Sequence, residues 1–172
     1  RFAPPGLALD ALPPIDLVLI SHNHYDHLDL PTLRRLAADG TRFLVPLGDA
    51  ALLRTSGIGP VDELDWWDGR EVSGVEVHCV PSQHWSGRRL TDDNASLWSG
   101  WVVAGPTRRF YFAGDSGYFP GFAEIGKRLG PFELAALPIG AYDPPAIMRA
   151  VHLDPEEALQ AGLDVGADRM LG

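Results

Sequence analysis

Residues 15–20 form a short apolar run broken only by Asp16, preceded by Pro13-Pro14 and followed by a polar cluster from Ser21 to Asp29. A run of this length suits a strand buried on both faces, which places the polar cluster at the strand's C-terminal end. Leu33, Leu36 and Ala37 then recur at helical spacing. Asp29 is a suitable N-cap, Pro31 fits a first helical turn, and Asp39-Gly40 supplies the stop. Residues 42–46 predict a second strand, and 49–54 a helix ended by the turns Ser56-Gly57 and Gly59-Pro60. The first third of the chain therefore alternates strand and helix.

From Glu71 to Phe112 the pattern becomes β-rich, with strands predicted over 75–80, 97–104 and 108–112. Gly105-Pro106-Thr107 joins the last two as a hairpin. Beyond Asp115 the pattern predicts a helix over 122–129, a strand over 134–137, and a helix opened by Asp154-Pro155-Glu156-Glu157. Strands and helices in this order imply a layered α/β sandwich. No internal repeat or low-complexity linker divides the sequence, so residues 1–172 are read as one domain.

Composition narrows the function. A net charge of −9 disfavours nucleic acid as a partner, since phosphate backbones are bound by basic patches. The single cysteine, Cys79, sits in an apolar run, which excludes an internal disulfide and a cysteine-rich zinc framework; it reads as a small buried hydrophobe. No apolar stretch reaches the ~18–20 residues of a membrane span. Arg1-Phe2-Ala3-Pro4-Pro5 does not look like a signal peptide. The expectation is a cytoplasmic protein, with peripheral membrane association left open.

The polar cluster carries the chemistry. Ser21-His22-Asn23-His24-Tyr25-Asp26-His27 gathers three imidazoles and a carboxylate on one loop. With only six histidines in 172 residues, chance is a poor explanation for such a run. Zinc favours nitrogen and oxygen donors of this kind. In extended chain His22 and His24 project to the same side, so they can close on one ion while Asp26 and His27 reach a second. Further donors must come from elsewhere. His84 follows the 75–80 strand through Pro81-Ser82-Gln83, with Trp85 beside it as a shield from water. Asp115 ends the strand Phe110-Tyr111-Phe112 between two glycines, and a carboxylate between two cations is a natural bridge.

Taken together, residues 21–29 (Ser-His-Asn-His-Tyr-Asp-His-Leu-Asp), Gln83-His84-Trp85, Asp92-Asp93-Asn94 and Phe112-Ala113-Gly114-Asp115-Ser116-Gly117-Tyr118 resemble the metallo-β-lactamase superfamily. Ile139-Gly140-Ala141-Tyr142 and His152-Leu153-Asp154-Pro155-Glu156-Glu157-Ala158 narrow the likeness to the branch containing N-acylphosphatidylethanolamine-hydrolysing phospholipase D and its bacterial relatives. The resemblance implies a four-layer αββα sandwich. It also implies that His22, His24 and His84 bind one zinc, that Asp26 and His27 bind another, and that Asp115 bridges them. Tyr25 and His152 would lie near the substrate. Members of this fold carry strands before the position of Arg1 and a last histidine after the helix beginning at 154. The chain is therefore expected to be incomplete at both ends and to lack one ligand of the second ion.

The function expected is a zinc-dependent hydrolase that attacks with a metal-bound hydroxide oriented by Asp26. A phosphodiester of the phospholipase D type, small or lipid-like, is the expected substrate. A lactonase acting on a carbonyl, or a metal-binding module without turnover, are the alternatives.

Overall fold

Because successive side chains of a strand point to opposite faces, the strand sequences decide which layer each residue joins. The computed structural model describes residues 6–37 and 40–172. Among these, β1 (Leu17–Leu19), β2 (Arg42–Pro46) and β3 (Val61–Leu64) form a parallel three-stranded sheet in that order. A six-stranded sheet runs β4 (Gly69–Val72), β5 (Val75–Val80), β6 (Gly100–Ala104), β7 (Arg109–Phe112), β8 (Leu134–Ala136) and β9 (Met170–Leu171). It is antiparallel through β7 and parallel from β7 to β9.

Phe43 and Val45 leave one face of β2 and pack with Leu33 of α1 (Leu30–Leu36) and Leu53 of α2 (Ala50–Thr55). Leu44, between them in sequence, points the other way and meets Val77, Cys79 and Trp101 of the second sheet. On that sheet's outer face, Val102, Tyr111 and Ala135 pack against Phe122 and Ile125 of α3 (Gly121–Leu129) and Ala158 and Ala161 of α5 (Pro155–Asp164). The short α4 (Pro145–Met148) lies between α3 and α5 in sequence. The order of layers is thus helix, sheet, sheet, helix, the αββα sandwich that the resemblance implied. Each fully buried large apolar side chain contributes roughly 1.5–3 kcal/mol, and all three clusters contain such residues.

Most predicted elements are present, and the differences have local causes. The strand predicted from 97 begins only at Gly100, because Leu97 and Ser99 donate their N–H groups across to Leu47 (2.7 Å) and Ser21 (2.8 Å). Strands β3 and β4 gave no clear signal: β3 is half-polar, and the first three residues of β4 are exposed. Asp29 caps α1 as expected, accepting from Thr32 N at 3.0 Å. Asp49 occupies the N-cap of α2 without capping it, its carboxylate being engaged elsewhere. Of the predicted stop after α1, Gly40 adopts a φ of 95°, whereas Asp39 and the opening residues 1–5 lie outside the described residues. Cys79 is a free, buried thiol, pushed up to about 12 by burial, in keeping with its reading as an inert core residue. Among the described residues no helix is long and apolar enough to cross a membrane.

Candidate metal centre

Three chain segments deliver donors to one end of the sandwich. The β1 strand continues into Ser21, which accepts at its carbonyl from Ser99 N, while the Trp101 indole donates to the Ile20 carbonyl at 2.9 Å. These bonds tie the 22–27 loop to the second sheet. In that sheet β5 and β7 are both antiparallel to β6, so their C-terminal ends emerge on the same side. β5 leads to His84 and β7 to Asp115. The turn before Asp115 requires glycine: Gly114 has φ +63°, and a Cβ there would lie 2.7 Å from Ser21 Cβ and 2.8 Å from the Ser99 carbonyl.

Two groups of three donors result, each with its ligand atoms within 4.8 Å of one another: His22, His24 and His84, and His22, His27 and Asp115. In the first, His24 Nδ1 lies 2.9 Å from His22 Nε2 and 3.2 Å from His84 Nε2. A tetrahedral ion with Zn–N bonds of ~2.0–2.1 Å would separate its nitrogens by about 3.3–3.4 Å, close to this spacing. The tautomers fit as well. His84 Nδ1 is 3.0 Å from the Val151 carbonyl, which can only accept, so Nδ1 carries the proton and Nε2 presents a lone pair inward. Ser21 Oγ sits 3.0 Å from His22 Nδ1 and orients that ring. His24 differs, its Nε2 being buried without a hydrogen-bond partner. In the second group His27 Nε2 is 3.0 Å from Asp115 Oδ2.

Electrostatics prepare these donors. Burial, then the neighbouring imidazoles, lowers His22 to about 2. Burial also lowers His84, to about 4, and lowers His24. All three are thus free bases at neutral pH and need shed no proton to bind a cation. His27 moves the other way, raised chiefly by its hydrogen bond to Asp115. For Asp115 burial alone would raise the carboxyl, but the His27 hydrogen bond and the surrounding imidazoles outweigh it and bring the group to about 2.

The remaining expected residues fall at differing distances. Asp26 belongs to neither group: its carboxylate is 3.4 Å from His27 Nε2 and its side chain is 81% exposed at the mouth of the site. His152 comes close, with Nδ1 4.0 Å from Asp115 Oδ2 and its ring 5.1 Å from that of His84. Tyr25 is exposed and lies under the Arg88 guanidinium, 4.0 Å from its ring centroid. Trp85 packs on His24 (centroids 4.2 Å) more closely than on His84 (6.3 Å), so the ring it shields is the other one. Sequence reasoning missed Asn23, Asp49 and Arg88, which surround the loop. Asn23 at least lay between two candidate ligands, but nothing in the local sequence marked Asp49 or Arg88 as their neighbours.

Comparison with known proteins agrees with this geometry. A family model described as a beta-lactamase superfamily domain matches residues 1–172. An uncharacterized protein of Mycobacterium tuberculosis is 48% identical over 169 residues, spanning 96% of this chain and 44% of that protein. N-acyl-phosphatidylethanolamine-hydrolyzing phospholipase D 1 of Caenorhabditis elegans is 41% identical over 184 residues, spanning 100% of this chain and 52% of that protein. The chain therefore spans about half the length of these relatives. Among solved structures, the metallo hydrolase Igni18 of Ignicoccus hospitalis has the same fold, with a TM-score of 0.72 at 24% identity over 91% of this chain and 62% of its own.

Proposed function

Because this chain belongs to the β-lactamase superfamily, we propose that it forms the metal centre of a zinc-dependent hydrolase whose substrates are phosphodiesters of the phospholipase D type. The observation that carries the reading is the pair of adjacent donor groups sharing His22. The family supports a hydrolase in general. The likeness to a phospholipase D along the whole of this chain supports the phosphodiester.

In this reading His22, His24 and His84 would hold one ion, and His27 and Asp115 would hold the other. Asp26, exposed and beside His27, would complete the second set and orient the attacking water. The ions would supply Lewis acidity, activating water and accommodating negative charge on the phosphoryl oxygens. His152 flanks Asp115 and His84, and Tyr25 stands on the exposed rim; in this reading both would meet substrate. The protein's negative charge is compatible with an anionic substrate, since bound cations dominate the local field.

The test is metal analysis of the full-length protein that contains this chain, followed by parallel assays with a phosphodiester phospholipid and a lactone. Zinc binding with turnover of the phosphodiester is expected. Turnover of the lactone alone would overturn the substrate class, and a protein that binds no divalent metal would overturn the whole reading.

A further inference from the structure

The 23–28 loop carries three of the expected ligands, yet its own backbone closes only a short turn, in which His27 N and Leu28 N both donate to the His24 carbonyl. The groups at its two ends are held from outside. Arg88 Nη1 donates to the Asn23 carbonyl and to the Leu28 carbonyl, each at 2.8 Å, so one guanidinium nitrogen spans the loop from start to finish. The face of the same guanidinium lies over Tyr25, between those two residues. Beside it, Gly87 N donates to Asn23 Oδ1 at 2.8 Å, and Asn23 Nδ2 donates to Ser96 Oγ (2.7 Å) and Asp49 Oδ1 (3.1 Å). The segment bearing Arg88 is itself braced. Asp92 Oδ1 accepts from Arg88 N and Arg89 N, and Asn94 N donates to the Ser86 carbonyl.

From these contacts we propose that Arg88 is a positioning residue for the metal centre, clamping the two ends of the 23–28 loop so that His24, Asp26 and His27 are set relative to His22, His84 and Asp115 before any ion arrives. The inference rests on the metal-centre reading above. Lysine is a poor substitute, because a single ammonium on a flexible stem lacks the planar, stacked guanidinium that meets two carbonyls and an aromatic face together. Groups one step removed from the ligands fix ligand geometry, and their loss typically weakens metal affinity by about 10–100-fold.

The experiment compares the full-length wild-type protein with R88M, which keeps much of the aliphatic stem but cannot donate, and with R88K. Three quantities are read: zinc affinity by chelator competition, the visible spectrum of the cobalt(II)-substituted protein, and thermal unfolding of the metal-free protein. We expect R88M to weaken zinc binding by about tenfold or more and to alter the cobalt spectrum while the metal-free protein still unfolds cooperatively, with R88K in between. Unchanged zinc affinity and an unchanged cobalt spectrum in R88M would overturn the proposal. Should R88M fail to fold, R88K decides by the same two readouts: weaker binding with an altered spectrum supports the clamp, and wild-type values overturn it. A wild-type protein that takes up no zinc would instead sink the metal-centre reading itself, an outcome distinct from a wild type that binds and a variant that binds equally well.

Discussion

His27 Nε2 stands 3.0 Å from Asp115 Oδ2, joining the loop after β1 to the turn after β7. The contact raises His27 and helps bring Asp115 to about 2, while burial lowers the neighbouring His22 and His84 to about 2 and 4.

These shifts predict how the metal-free protein responds to pH. His22 and His84 stay neutral when folded, whereas the unfolded chain protonates them near 6.5. Below that pH the unfolded state binds more protons, so stability falls as pH falls, by roughly 1.4 kcal/mol per pH unit for each uncompensated imidazole. His27 works oppositely: its contribution is fully present below 6.5 and is lost as pH rises through its raised folded value. Asp115 contributes above 3.8 and loses that contribution as pH falls toward about 2. Urea unfolding should therefore show a net loss of stability between pH 6.5 and pH 4, with a shallower slope in H84Q. A flat profile would contradict the burial of free-base imidazoles.

Removing a central ligand should matter more than removing a buried bystander. His22 is a ligand of the first ion and also borders the donors of the second, so H22A is expected to abolish most zinc binding and activity, measured by metal analysis of the full-length protein. Cys79 lies between the sheets with a thiol held far from ionisation, so C79S should keep its metal and lose only about 1 kcal/mol of stability for a hydroxyl placed in an apolar site.

Gly114 permits the approach of β7's turn to Ser21. G114A would place a methyl group 2.7 Å from Ser21 Cβ in a left-handed backbone conformation. The conformation alone costs about 1–2 kcal/mol, and relief of the clash must displace Asp115 or Ser21. Both a lower unfolding midpoint and weaker zinc affinity are expected; native values for both would show that the close approach is not needed.

The capping box of α5 offers a contrast. Asp154 accepts from Glu157 N at 2.8 Å, and the Glu157 carboxylate accepts in return from Asp154 N at 3.4 Å. D154A should cost about 1 kcal/mol in chemical denaturation while sparing the zinc content, since the cap serves the helix and not the donors. Loss of metal in this variant would imply that α5 also sets the His84 ring, through the nearby Val151 carbonyl.

Much of this protein was written locally. The apolar runs defined β1, β2 and β5, the Asp-Pro start and the turn residues marked the helices, and the density of histidine in residues 22–27 named the chemistry before any fold was known, because ligand type and short spacing are properties of the chain itself. Their places at strand ends marked His84 and Asp115 as partners, but only folding could bring their atoms beside the loop. Other features were decided by contacts between distant segments. Asp49 sits where a helix cap belongs, yet its carboxylate turns inward to Asn23. Trp85 leans on His24 although His84 is its neighbour in sequence, and Asp26 remains at the exposed mouth although it lies within the motif. Arg88 reaches back across the site to hold the loop's two carbonyls. Nothing in the neighbouring residues encodes such pairings, for they depend on which sheet edges emerge together and on which polar groups are left to satisfy one another once the apolar faces have packed.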